Sequence, residues 1–255
     1  MVAGAIGCAV WVLGVLFTSD LGVPIGDVRR FKNVLVIFPH ADDETVSCGG
    51  SIRKMATCDA HVTLVLLTGG ECGNPAGMPD MQLKHARRRE AEHVAKILGV
   101  SRLIQKDYGD GQLAYRSAEI QEFLVMTVRQ VEPDLIVTYD QSGLDGHVDH
   151  VACSEVITAL RTAHFRAIPL WYVSMPLRLV RLLTSVGQMS ADSQIGARRC
   201  LPTHRVFLGV STIAKVRALY AYRSQRGAIA KGLGKVVPVW LAVSMMQFEY
   251  FAEAA

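Results

Sequence analysis

Apolar and polar positions alternate along the chain in blocks that name their own secondary structure. Residues 33–38 (NVLVIF) form an unbroken apolar, β-branched run that stops at Pro39, as a parallel strand buried on both faces would. Similar runs lie at 61–68 (HVTLVLLT), around 101–106, at 134–138 (DLIVT) and around 168–174. Between them the apolar residues recur at helical spacing, over 45–57, over 81–98 with Gly99 closing the segment, and over 118–130 ahead of Pro133. Strands alternating with helices predict an α/β fold: a Rossmann-like, doubly wound, mostly parallel sheet with helices on both faces. No internal repeat and no low-complexity linker interrupts the pattern.

The two ends depart from it. Residues 2–17 carry no charge, and the apolar run continues through 21–25 with one interruption at Asp20. That length is marginal against the roughly 20 residues needed to span a bilayer. No Lys or Arg precedes the run, which argues against a cleaved signal, and the first positives, Arg29, Arg30 and Lys32, follow it. The positive-inside bias then leaves the remainder in the cytoplasm. Residues 1–26 are therefore a candidate membrane anchor and 27–255 the folded domain; the alternative is a soluble cytoplasmic protein whose first helix packs on the sheet. Near the other end, 177–183 reads as a short basic amphipathic stretch, and 236–248 is apolar apart from Ser244 and Gln247.

Composition narrows the classes. Of the 255 residues, 50% are hydrophobic and 20% charged, which excludes a disordered chain, and charges recur throughout 27–130, which excludes a multi-span membrane protein. The net charge of +4 hides an asymmetry: beyond residue 170 there are eleven lysines and arginines against Asp192, Glu249 and Glu253. A basic last third points to an anionic partner, a phospholipid surface or a phosphorylated ligand. Nucleic acid is not expected, because Arg178, Arg181, Arg198 and Arg199 are not interleaved with base-stacking aromatics. Six cysteines without a C-x-x-C pair offer neither a zinc ribbon nor a dithiol motif.

Ligands of open parallel sheets bind beyond the carboxyl ends of the strands, at the point where the strand order reverses. In the order 3-2-1-4-5 that point lies between strands 1 and 4. Strand 1 runs into Pro39-His40-Ala41-Asp42-Asp43-Glu44, and strand 4 into a loop ending His147-Val148-Asp149-His150. About a hundred residues apart in sequence, the two clusters become neighbours in this topology. Imidazole and carboxylate suit zinc, and a catalytic zinc takes three protein ligands with one position left for water. His147 and His150 stand about one helical turn apart and can converge, while two adjacent aspartates on a tight loop can diverge, one toward a metal and one toward its water. The glycines over 69–77 fit neither G-x-G-x-x-G nor G-x-x-x-x-G-K and are read as a mobile substrate loop.

His40-Ala41-Asp42-Asp43-Glu44 joined with His147-Val148-Asp149-His150 resembles the LmbE-like family, which includes the PIG-L de-N-acetylases of glycolipid anchor synthesis and the deacetylases of mycothiol and bacillithiol synthesis. The resemblance extends through Leu67-Thr68-Gly69-Gly70-Glu71, Arg87-Arg88-Arg89-Glu90, Leu98-Gly99-Val100, and Lys215 with Arg223-Ser224-Gln225, covering roughly 31–225. Two positions depart from the family pattern: Ala41 replaces a proline, and Tyr222 stands where a histidine is common. The resemblance implies that His40, Asp43 and His150 bind zinc or another divalent metal, that Asp42 is the general base, and that His147, kept protonated by Asp149 or a neighbouring carboxylate, faces the developing oxyanion. It also implies that Arg87 contacts sugar hydroxyls; Glu90, three residues on, joins it as a candidate substrate contact. The implied reaction is hydrolysis of the acetamide of an N-acetylglucosaminyl conjugate, which the membrane features suggest is lipid-linked. Competing readings are a metal phosphoesterase, for which Glu44 and Asp145 are the only spare bridging carboxylates, and a catalytically idle membrane-associated partner subunit. The sequence does not fix the aglycone or the oligomeric state.

Overall fold

The computed structural model describes residues 2–73, 77–185, 187, 192–232 and 238–254. β1 (Asn33–Phe38) lies at the centre of the sheet, with Val34, Val36 and Phe38 entering one apolar layer and Leu35 and Ile37 the other. β2 (His61–Leu66) and β3 (Arg102–Gln105) extend the sheet to one side, β4 (Leu135–Tyr139) and β5 (Leu170–Ser174) to the other, all parallel. The reversal of strand order between β1 and β4 opens the expected crevice at their carboxyl ends.

After α1 (Val2–Thr18), α2 (Asp43–Thr57) and α3 (Asp80–Leu98) cover one face of the sheet. α4 (Ser117–Val131) and α5 (Val148–His164) cover the other. Gly99 ends α3 in the left-handed conformation, as its place in the sequence predicts. α6 (Leu177–Ser185) and α7 (Ser193–Ala197) follow β5, and α8 (Ser211–Ala221) returns to the α2 and α3 face. α9 (Arg226–Gly232) and α10 (Val239–Met245) precede the last strand.

Two strands lie outside the sequence expectation. β6 (His204–Phe207) and β7 (Phe248–Glu253) complete the order β3-β2-β1-β4-β5-β7-β6, with β7 antiparallel to both neighbours. Their polar residues obscure the pattern: His204, Arg205 and Glu249 are all buried. Glu249 is accommodated by Lys215, whose Nζ donates to its Oε1 at 2.7 Å and to the Val46 carbonyl at 2.9 Å. The same carboxylate accepts the amides of Gly50 and Ser51, at the point where Cys48 breaks the helical geometry of α2.

α1 is 17 residues long, short of the roughly 20 that a span needs, and among the described residues no helix is long and apolar enough to cross a membrane. It lies on α10 instead, with Trp11 Nε1 donating to Ser244 Oγ at 3.1 Å and Thr18 Oγ1 to the Met245 carbonyl at 2.8 Å. Leu13, Leu16 and Phe17 on α1 are exposed.

Candidate active site

Both His/Asp clusters meet at the crevice. The β1 loop ends in a strained residue: Asp42 has φ 109°, a conformation that costs a non-glycine residue on the order of 1–3 kcal/mol and recurs at functional sites. Its amide donates to Glu44 Oε2, and Glu44, fully buried, also accepts the Tyr222 hydroxyl at 2.8 Å. Tyr222, the departure from the family pattern, thus lies behind the site and holds the loop. Arg87 Nη2 donates to the Ala41 carbonyl at 2.6 Å and stands 3.5 Å from Asp42 Oδ1.

Asp43 lies between two imidazoles. Its Oδ2 is 3.1 Å from His40 Nδ1 and its Oδ1 is 3.4 Å from His150 Nε2. The far nitrogen of each ring is also held: His40 Nε2 faces Asp110 Oδ1 at 3.0 Å and Asp149 Oδ2 at 3.3 Å, while His150 Nδ1 faces the Gly143 carbonyl at 3.1 Å and Asp145 Oδ1 at 2.9 Å. The Tyr139 ring stacks on that of His150 at 4.3 Å. Gly143, at φ 65°, comes so close that a Cβ there would lie 2.8 Å from His150 Cβ. The loop bearing these residues is braced by Asp140, which accepts the amides of Ser142 and Cys200, and by Arg199, which donates to the Leu144 carbonyl. Part of the stretch 177–200, unplaced from sequence, therefore supports the site; residues 186 and 188–191 of it lie outside the described residues, as do 74–76 of the glycine-rich segment.

Charges in this cluster compete. Burial works against protonation of His40, but Asp43, Asp110 and Asp149 outweigh it and hold the imidazole well above its ordinary range. The same balance, set by Asp43 and Asp145, lifts His150 to about 10. Burial opposes ionisation of Asp43, yet His150 and His40 keep it well below the usual carboxylate range. Asp42 goes the other way: burial raises it to about 7, with Arg87 pulling it down and Asp43 and Glu44 pushing it up.

His147 differs from the expectation. Its Nδ1 accepts the Asp149 amide at 3.2 Å, capping α5, so the neutral ring carries its proton on Nε2. Burial and then the charges of His150 and His40 lower its pKa below the ordinary value. Asp149 does not face it; the carboxylate accepts the amides of Gly111 and Leu113 and touches His40. Arg87 and Glu90, expected as substrate contacts, are engaged within the protein: Arg87 is buried beside Asp42, and Glu90 accepts the amide and hydroxyl of Ser224 at 3.0 and 2.6 Å.

Asp110 was missed by the sequence reading. It follows β3, accepts the Cys72 amide at 2.9 Å, and is drawn down to about 2, its burial outweighed by the hydrogen bond to His40. Its signal was a lone aspartate between Gly109 and Gly111, indistinguishable from a turn.

The donor set fits a divalent cation. One nitrogen from each of His40, His147 and His150 lies within 4.8 Å of the others, as do donor atoms of His40, Asp110 and Asp149. Imidazoles fixed from behind by carboxylates and carbonyls are the usual support of metal-binding histidines.

Residues 35–160 match the family model for PIG-L, GlcNAc-PI de-N-acetylase. A diacetylchitobiose deacetylase of Thermococcus kodakarensis is 34% identical over 129 residues, 50% of this chain and 47% of that protein. A 1D-myo-inositol 2-acetamido-2-deoxy-alpha-D-glucopyranoside deacetylase of Catenulispora acidiphila is 30% identical over 173 residues, 58% of this chain and 53% of that one. The chain thus spans about half the length of these relatives. Among solved structures, the N,N'-diacetylchitobiose deacetylase of Pyrococcus horikoshii shares the fold, with TM-score 0.62 and 20% identity over 94% of this chain and 88% of its own. The fold also carries other chemistry, since the 4-carboxy-2-hydroxymuconate hydratase GalB of Pseudomonas putida aligns at TM-score 0.59 and 18% identity over 88% of this chain and 96% of its own. Through residues 35–160, just under half of its length, the chain is similar to the PIG-L (LmbE-like) family.

Proposed function

We propose that the protein hydrolyses the acetamide of an N-acetylglucosamine-containing conjugate, releasing acetate and a free amine, with zinc or another divalent cation held by His40, Asp43 and His150. The observation that carries this reading is the placement of Asp43 between His40 Nδ1 and His150 Nε2, with the opposite nitrogen of each ring tied to other acceptors. A cation there supplies Lewis acidity to the acetamide carbonyl and loosens a proton of the attacking water.

The chain's own groups divide the remaining work. Asp42, 17% exposed at its side chain and raised by burial above the ordinary carboxylate range, is the group placed to take the water's proton, and a bound cation, by lowering its pKa, keeps it ionised at neutrality. His147, neutral and bearing its proton on Nε2, donates to the oxyanion. The leaving amine then receives the proton that Asp42 has taken. Asp149 and Asp110 orient His40, Arg87 sets the charge and position of Asp42, and Glu90 anchors Ser224. In this reading Arg87 and Glu90 are positioning residues and make no first contact with the sugar.

A membrane surface, and with it a lipid-linked substrate presented on the cytoplasmic side, is supported by the exposed Leu13, Leu16 and Phe17 of α1 and by α6, whose Arg178 donates to the Leu16 carbonyl. Sedimentation with anionic vesicles checks that part; a protein that stays in the supernatant at low salt belongs to the soluble alternative. The central test is a panel of N-acetylglucosaminyl conjugates incubated with purified protein, with and without added zinc, scoring released acetate. Acetate from at least one conjugate, dependent on metal and on Asp42, is expected. The reading fails if no conjugate yields acetate from metal-loaded, folded protein.

A further inference from the structure

α3 and α8 diverge on the side away from the sheet and enclose, with the 3-10 turn Arg223–Gln225, a groove of about 660 Å³. Four guanidinium groups line it, those of Arg89, Arg217, Arg223 and Arg226, together with His93 and Tyr220. Among the described residues, none of the groove's four arginines stands within ion-pair distance of a carboxylate, unlike Arg29, Arg87, Arg116 and Arg198. Glu90 is the one acid on the lining, and both its oxygens are taken by Ser224. Arg226 is already fixed, its Nε and Nη2 donating to the Tyr220 carbonyl.

We propose that this groove is a binding site for a phosphate group, carried by a phosphorylated small molecule or by a lipid headgroup. The excess of positive charge calls for more than the single charge of a carboxylate, and guanidinium forks match phosphate oxygens two at a time. Tyr220, Ile97 and Val216 add an apolar wall for whatever bears the phosphate. The groove is separate from the metal-binding cluster. Arg87 points to Asp42, whereas His93 lies six residues further along α3, about 9 Å down the helix axis. Gln225, which donates to the Gly73 carbonyl, and Ser224 stand between the two. The assignment does not rest on the deacetylase reading, because its readout is binding.

Titration calorimetry of the full chain with inorganic pyrophosphate at low salt tests it. Binding of one pyrophosphate is expected, weakened at least about tenfold in the Arg217→Gln/Arg223→Gln variant, since each charge-assisted hydrogen bond lost contributes about a factor of ten or more. The Asp43→Ala variant, with its metal cluster broken, is expected to bind as the parent does. Ring signals of His93 in the parent protein should shift during the titration, a measurement that needs no variant to fold. A second arm compares sedimentation with vesicles of phosphatidylcholine alone and of phosphatidylcholine with a phosphatidylinositol phosphate. Arginine-dependent capture by the latter identifies the headgroup as the source; binding of pyrophosphate without capture identifies a soluble ligand. The proposal is overturned if no pyrophosphate binds, if His93 is silent, or if the arginine variant binds unchanged while Asp43→Ala does not.

Discussion

Helix α2 carries buried charge in two places, at its first turn and at its break, and the two are built on opposite terms. At the break, Glu249 and Lys215 form a closed set: the carboxylate takes one ammonium and two amides, and the ammonium also takes the Val46 carbonyl. At the first turn, Asp42, Asp43 and Glu44 crowd together beside His40, and His147, His150, Asp110, Asp145 and Asp149 arrive from other segments. There one carboxyl is pushed up and another down, and two imidazoles are held charged. A buried group answered on every side holds backbone in place; a cluster whose charges are settled only at each other's expense is poised to exchange protons for a cation. Both meet one 15-residue helix, the closed set through the Gly50 and Ser51 amides and the open one through Asp43 and Glu44, so the closed set also fixes the platform from which the open one works.

The largest effect should come from the open cluster. On the proposed reading, Asp42→Asn removes the base and leaves the ligands His40, Asp43 and His150, so activity should fall by about 10² to 10⁴ while bound metal is retained. Metal content and turnover measured on the same sample separate the two; loss of metal in Asp42→Asn but not in Asp43→Asn would reverse their roles. The pH profile sharpens the test. Asp42 must be ionised to act, so rate is lost as pH falls through its pKa, and a bound dication pulls that pKa below its cation-free value of about 7. Arg87 is the strongest influence holding Asp42 down, so Arg87→Met should move the acid limb to higher pH.

Lys215→Met tests the closed set. It strands Glu249 without its counter-ion, and breaking a buried pair from one side costs about 3–5 kcal/mol. Denaturant unfolding should show that loss, while the fraction that remains folded at low temperature keeps its metal. A variant as stable as the parent would mean that the two amides alone satisfy Glu249.

How much of this was legible beforehand follows from the same contrast. The parallel strands announced themselves because apolar runs buried on both faces leave nothing else to be, and the crevice followed from their order. The clusters after β1 and β4 were legible because they end those strands. β6 and β7 were not, because a strand that buries Glu249 or Arg205 reads as polar until its partner across 34 residues, Lys215, is known. The orientation of Asp149 toward His40, away from His147, was equally hidden, since spacing along a helix start says which residues can meet and not which atom of a ring is already engaged.

His147→Gln comes next in size. Removing one oxyanion donor costs about 10² to 10³ in turnover. With its Nδ1 occupied by the Asp149 amide and its pKa lowered, His147 acts as a neutral donor, so the variant should lose rate at every pH without loss of a basic limb. Metal should stay. If His147→Gln empties the site, the three-histidine grouping is the ligand set and Asp43 serves behind it.

The smallest effect belongs to a third buried ionisable group, resolved by staying neutral. His204 on β6 packs tilted against Trp171, with ring centroids 4.0 Å apart, and is 8% exposed; burial, with Arg30 adding to it, lowers its pKa from 6.5 to about 4. Between those values the unfolded chain binds the proton and the folded one does not. Its contribution is therefore complete above pH 6.5 and is lost as pH falls toward 4, on the order of 1–3 kcal/mol. His40 and His150 of the open cluster have the opposite sign in the cation-free protein: with His40 raised and His150 raised to about 10, their stabilisation is full below pH 6.5 and fades as pH rises from there toward about 10. Thermal melts of metal-stripped protein should resolve the two, since His204→Phe flattens the decline below pH 6.5 and leaves the alkaline side as it was. A melt whose acid slope is the same in His204→Phe would show that His204 titrates normally and that its packing against Trp171 leaves room for the charge.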